Sequence, residues 1–245
     1  MPHWTVLLVA EPAYFIAYVI FAMVGFGTTL VAAPLVAHVI PLPTLVPAQA
    51  LMDLIASVGN GIRLNAHVAR GEVYRLVPAM LLGSVIGAYA LFAVPIKFLM
   101  LTLGVFVTLY AANNLRPKHL PPPISGHWAW WYGTTGGALS ALFGAGAWVN
   151  AIYLMRRLED PQAVRATQMV LVIVSAVIRV GIFAAAGMYM DVDLLILSAC
   201  LWPAMILGMY VGNRINLRMN RQRFLRVLNL VLLVTGSGLM LRAFA

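Results

Sequence analysis

The chain has 245 residues, of which 62% are hydrophobic and only 9% charged, with a mean hydropathy of +0.92. Soluble domains carry about 25% charged residues, so a water-soluble globule is excluded: it would have to expose much of its apolar surface. The net charge of +9 is carried in short loops between apolar runs, as membrane orientation requires, which argues against nucleic-acid binding.

In chain order, the first residues (Met-Pro-His-Trp) lack a basic segment, and Glu11 interrupts the first apolar run, so no cleaved signal peptide is expected. A spanning helix needs about 20 apolar residues, and six runs approach this length: 47–62, 76–94, 98–113, 164–186, 194–211 and 224–241. Two longer stretches differ. Residues 6–40 are broken by Gly25-Phe26-Gly27, and residues 128–155 by Gly144-Ala145-Gly146. Each glycine weakens a helix by about 1 kcal/mol. Between the halves lies Arg116-Pro-Lys-His-Leu-Pro-Pro-Pro-Ile-Ser-Gly126, whose prolines and charges mark an exposed connection.

The halves correspond. A shift of 119 residues places Gly25 on Gly144, Gly27 on Gly146, Gln49 on Gln168 and Asn60 on Arg179; with a small insertion, Gly83-x-x-x-Gly87 falls on Gly208-x-x-x-Gly212. Internal duplication is frequent in secondary transporters. Charge then selects a topology. If each broken stretch is one kinked span, the basic residues divide poorly between the two sides. If each is a hairpin that enters and leaves on one side, thirteen of the sixteen Lys and Arg share a face; Lys97 and Arg242 lie opposite and Arg179 lies within a span. The positive-inside rule favours the hairpins. The expected fold is an all-α polytopic membrane protein of two inverted repeats, each a broken or re-entrant helix hairpin plus three transmembrane helices. The first repeat covers 1–115, the Pro-rich linker 116–127 and the second repeat 128–245, with both termini outside the cell.

Two sets of residues stand out. A broken helix in lipid frees backbone N–H groups that need partners, and a helix N-terminus attracts anions. Gly25, Phe26, Gly27, Thr28 and Thr29 at one break, and Gly144, Ala145, Gly146, Trp148 and Asn150 at the other, are therefore expected to bind substrate. The second set is a polar stripe. Gln49, Asp53, Ala56 and Asn60 share one helix face, as do their counterparts Gln168, Val172, Ser175 and Arg179. Asp53 and Arg179 are the strongly charged side chains set well inside spans, where each costs about 2.5–3.5 kcal/mol on insertion scales. Arg179 suits an oxyanion. Asp53 suits proton coupling, and the two can equally pair with each other. Arg63, Arg70 and Arg75 either draw anions in or fix topology. One cysteine, Cys200, excludes an intramolecular disulfide. His3, His38, His67, His119 and His127 show no metal-ligand spacing, and no nucleophile or phosphate-binding motif is present. No enzyme activity, metal or cofactor is expected.

The residues also resemble a known family. The first half carries Gly25-Phe-Gly-Thr-Thr-Leu-Val-Ala-Ala-Pro34, Asn60-Gly-Ile-Arg63, Arg70-Gly-Glu-Val-Tyr-Arg-Leu76 and Gly83-x-x-x-Gly87. The second carries Gly136-Gly-Ala-Leu-Ser-Ala-Leu-Phe-Gly-Ala-Gly146, Ala186-Gly-Met-Tyr-Met-Asp191 and Leu207-Gly-Met-Tyr-Val-Gly-Asn-Arg-Ile215. In order and spacing this resembles the sulfite exporter TauE/SafE family along nearly the whole chain. The resemblance implies export of sulfite, organosulfonates or other small sulfur oxyanions across the cytoplasmic membrane. The expected partners are a small anionic substrate and the lipid bilayer, with a homodimer left open and no nucleic acid. The alternatives are an accessory subunit of another complex, a carrier of an unrelated anion, and an intramembrane enzyme, for which Asp53 alone is insufficient.

Overall fold

A computed structural model describes residues 4–24, 28–37, 39–61, 67–115, 122–215, 233 and 237. Helix dominates these residues, and no strand occurs among them. The elements are α1 (Trp4–Val24), α2 (Thr28–Val36), α3 (Leu42–Gly61), α4 (Arg70–Ala93), α5 (Ile96–Leu115), α6 (Trp128–Phe143), α7 (Gly146–Arg157), α8 (Pro161–Ala185) and α9 (Val192–Ile215). Each expected run from 47 to 211 lies within or against one of these helices. The run at 224–241 falls outside the described residues.

Among the described residues, four helices are long and apolar enough to cross a membrane: α1, α4, α8 and α9. In α3 and α5 the apolar part is shorter, Leu42–Val58 and Ile96–Leu109. At 21 residues α1 reaches spanning length unaided, whereas α2, α6 and α7 have 9, 16 and 12 residues and fall short of about 20. The chain is a multi-pass membrane protein.

Both broken stretches double back. Gly146 of α7 packs against Gly136 and Ser140 of α6, so close that a Cβ at Gly146 would overlap the Gly136 carbonyl. The start of α6 and the end of α7 also meet: Ile124 N–H donates to the Arg156 carbonyl (3.3 Å), and Arg157 Nη1 to the Ile124 carbonyl (3.2 Å). The second hairpin therefore leaves at the end where it entered, which rules out one kinked rod. At the first break α2 packs along α1, and hydroxyls ten positions apart, on Tyr18 and Thr28, reach the same carboxylate oxygen.

The turn between α6 and α7 depends on one residue. Gly144 caps α6 in the left-handed region at φ 61°, where a side chain is strained. Helix α8 starts on Asp160, whose carboxylate accepts from Gln162 N–H and Ala163 N–H, with Pro161 at the first helical position, a well-capped N-terminus.

Glycine sets the tightest packing. Gly83 and Gly87 of α4 lie on the backbone of α6 at Thr134 and Ala138, and Gly133 and Gly137 of α6 close on α4 at Leu76 and Met80. Gly208 and Gly212 of α9 lie in the same way on α1, at Phe15 and Val19. Phe15 and Thr134, like Val19 and Ala138, are 119 positions apart, the spacing of Gly25 and Gly144. The clamps join α4 to α6 and α9 to α1, so each crosses from one half of the chain to the other. Between them α3 packs on α8.

A polar knot fastens α4 to α7. Buried Glu72 accepts from the Tyr153 hydroxyl (2.6 Å), from Arg157 Nη2 (2.9 Å) and from Arg75 Nη1 (2.9 Å). Close by, the Ala69 N–H donates to Thr167 Oγ1 of α8 (2.9 Å). The starts of α4 and α8 and the end of α7 therefore share one end of the bundle.

Candidate anion-binding site

The site grows from the crossing of α3 and α8. Gln49, Asp53 and Ala56 lie on one buried face of α3, and Gln168, Val172, Ser175 and Arg179 on one buried face of α8. The side chain of Asn60 lies outside the described residues, although its backbone belongs to α3. Where the faces meet, Arg179 Nη2 donates to Asp53 Oδ2 at 2.9 Å, and both side chains are only 4% exposed. The other carboxylate oxygen, Oδ1, accepts from Thr28 Oγ1 (2.8 Å) and from the Tyr18 hydroxyl (3.1 Å). Asp53 is thus held by three donors from three helices.

Arg179 is less well satisfied. Its Nε and Nη1 are buried with no hydrogen-bond partner. Such groups are costly where water is excluded. Nη1 faces the hairpin turn: a methyl built on Gly144 would lie 3.1 Å from it and would overlap Thr29 Oγ1. Thr29 Oγ1 is itself buried without a partner, as are both amide atoms of Gln49. The first turn of α2, the Gly144 turn and the free edge of Arg179 therefore converge. This arrangement gathers hydrogen-bond donors and one cation inside an apolar bundle, which is the chemistry an oxyanion needs.

Other expected residues gather elsewhere. Gln168 Nε2 donates to the Ala147 carbonyl (2.7 Å), tying α8 to the start of α7, while its Oε1 has no partner. Asn150 turns towards Met80 of α4, with Nδ2 3.5 Å from the sulfur, and its Oδ1 has no partner. Ser175 bonds Ser140 of α6 at 2.5 Å. Trp148 forms a T-shaped ring pair with Phe106 of α5. The close approach at Gly146 is to the backbone of α6, and Ala145 is buried in the core. Gly25, Phe26 and Gly27 lie outside the described residues.

Three residues that touch this machinery were not anticipated: Tyr18, Ser140 and Tyr14. The Tyr14 ring stacks on Tyr18 at 6.3 Å, and its buried hydroxyl has no partner. A four-residue spacing of tyrosines in an apolar helix was the available signal.

A hairpin-broken helical bundle with a buried cation at its helix crossing is the architecture of a membrane solute carrier. Residues 12–239 match the family model for the sulfite exporter TauE/SafE, and the chain belongs to that family of membrane transporters. It is also 25% identical, over 191 residues, to a probable inner membrane transporter protein, TsaS, of Comamonas testosteroni; the match covers 77% of this chain and 80% of that one. No solved structure matches.

Proposed function

We propose that this protein is a secondary transporter that exports small sulfur oxyanions, sulfite or an organosulfonate, across the cytoplasmic membrane. The observation that carries the reading is Arg179: a buried guanidinium with Nε and Nη1 unpaired, beside Thr29 and the Gly144 turn. Arginine's fork of donors suits a group that presents several oxygens. The family supports sulfur in the anion. The anion sits at the junction of α2, the Gly144 turn and α8. Protein in liposomes should then move radiolabelled sulfite, and Arg179→Gln should abolish that movement. An Arg179→Gln variant that transports at the wild-type rate would defeat the assignment. A thermal-shift series of sulfite, sulfoacetate, taurine, thiosulfate and sulfate separates the candidate anions from an unrelated one.

The two halves are inverted repeats, and both termini lie outside. The crosswise glycine clamps support the repeat, because two-fold exchange of the halves turns the α4–α6 contact into the α9–α1 contact, and the excess of Lys and Arg on the opposite face supports the side given to the termini. The moving parts then trade helices: α4 travels with α6 and α7, and α9 with α1 and α2. Asp53 couples transport to protons by accepting one when the anion takes its place on Arg179. The groups that face it are Tyr18, Thr28 and Arg179. Flux that ignores an imposed pH gradient would remove this role.

A further inference from the structure

In this structure the seat beside Arg179 already holds an anion, the Asp53 carboxylate. We infer that Asp53 is a tethered stand-in for the substrate, and that its purpose is to let the unloaded carrier return across the membrane. The inference rests on the anion site proposed above and assigns a regulatory role within it.

Arg179 is 4% exposed and lies in a helix that crosses the bilayer. A cation in that position is expensive unless it is paired, and removing one partner of a buried pair is far more costly than removing both. A carrier that moves solute in one direction must pass through its closed, dehydrated state twice per cycle, once loaded and once empty. With a monoanion on Arg179, the loaded passage is neutral at that residue. The empty passage is neutral only if something else pairs with Arg179, and Asp53 does so through Oδ2 at 2.9 Å.

The geometry lets Asp53 leave without being stranded. Its Oδ1 keeps two donors on the far side, Thr28 Oγ1 from α2 and the Tyr18 hydroxyl from α1. An incoming anion that takes Nη2 therefore displaces a side chain that keeps two hydroxyl partners on Oδ1, and the coupling proton on the released Oδ2 keeps the loaded carrier neutral. Arg179 meanwhile offers Nε and Nη1, free in the present arrangement, as first contacts. The anion can land before Asp53 lets go. The first turn of α2 serves both ligands: Thr28 holds the stand-in, and Thr29, with its own Oγ1 unpaired, faces the Gly144 turn.

This makes Asp53 a residue that separates net transport from exchange. Replacing it with asparagine leaves the loaded carrier neutral but the empty carrier with a naked buried cation. Asp53→Asn should still swap external labelled sulfite for internal unlabelled sulfite at a rate within about threefold of wild type. Its net efflux into sulfite-free medium should fall on the order of 100-fold or more, the scale of an unpaired buried charge. Asp53→Glu, which restores the carboxylate, should recover net efflux. The assay uses the full-length protein in liposomes at mildly acidic pH, where sulfite is the hydrogensulfite monoanion, with both modes measured on the same preparation.

A second measurement guards against poor folding. Unpaired Arg179 should leave Asp53→Asn less stable when empty and more dependent on anion, so sulfite should raise its thermal midpoint more than it raises that of wild type. Net efflux by Asp53→Asn at the wild-type rate would overturn the inference. So would loss of exchange in protein whose thermal midpoint sulfite still raises, or a sulfite shift no larger than in wild type. If Arg179→Gln retains either mode, the anion site itself is misplaced, and that outcome is distinct from the failure of Asp53.

Discussion

A methyl group at position 144 meets two obstacles at once. The backbone there is left-handed, at φ 61°, and the space that a Cβ would take belongs to Thr29 Oγ1 and Arg179 Nη1. Gly144→Ala should therefore destabilise the protein by about 1–3 kcal/mol, the cost of overpacking, and lose anion binding more completely than stability. A thermal unfolding curve alongside a sulfite-binding assay separates the two effects. Gly181 is the control: it lies in α8, two positions after Arg179, and a Cβ there meets nothing within 4 Å. Gly181→Ala should keep transport and gain up to about 1 kcal/mol in helix propensity. At this scale the charged members of the site were legible, because Asp53 and Arg179 interrupt apolar runs in which any charge is conspicuous. Tyr18 and Ser140 were not. Tyrosine and serine are ordinary in such helices, and each meets its partner across 35 positions of sequence, a separation that no local pattern encodes.

The helices themselves were legible, because an apolar run of spanning length is the strongest signal in a membrane sequence, and the glycine breaks marked where α1 ends and α7 begins. The length of α1 was harder to read. The break at 25–27 drew attention away from the 21 uninterrupted helical residues before it. Glu72 sits in an Arg-Gly-Glu segment that reads as a loop motif. It is instead the buried anchor for Arg157 and Tyr153, a contact that exists only once α7 has folded back. The glycine pairs gave a correspondence but no partners, and the structure supplies them. Because Gly83 and Gly87 lie on backbone atoms of α6, and backbone cannot rotate aside, Gly83→Val should cost at least about 1–3 kcal/mol. Gly212→Val, which would push α9 off Val19 of α1, should cost a similar amount. Unfolding curves in detergent give both values. A large loss for one and none for the other would mean that only one clamp bears load.

For the molecule as a whole, the distribution of charge and the packing can be combined into a topology. The contacts of Glu72 with Arg75 and Arg157, and of Ala69 with Thr167, bring the starts of α4 and α8 and the end of α7 to one end of the bundle. That end collects Arg70, Arg75, Arg156, Arg157 and Arg165. Helix α4 then runs 24 residues, about 36 Å at 1.5 Å per residue, and exposed Lys97 follows at the start of α5. So the basic end and Lys97 face opposite sides of any bilayer that α4 crosses. The positive-inside rule assigns the crowded end to the cytoplasm. With Cys200 replaced by serine, a cysteine at exposed Arg70 or Arg165 should react with a membrane-impermeant maleimide only after the cells are opened, whereas a cysteine at Lys97 should react in intact cells. Labelling of Arg70 and Lys97 from the same side would mean that α4 does not cross. Labelling of Arg70 but not Lys97 in intact cells would invert the molecule and place the termini in the cytoplasm.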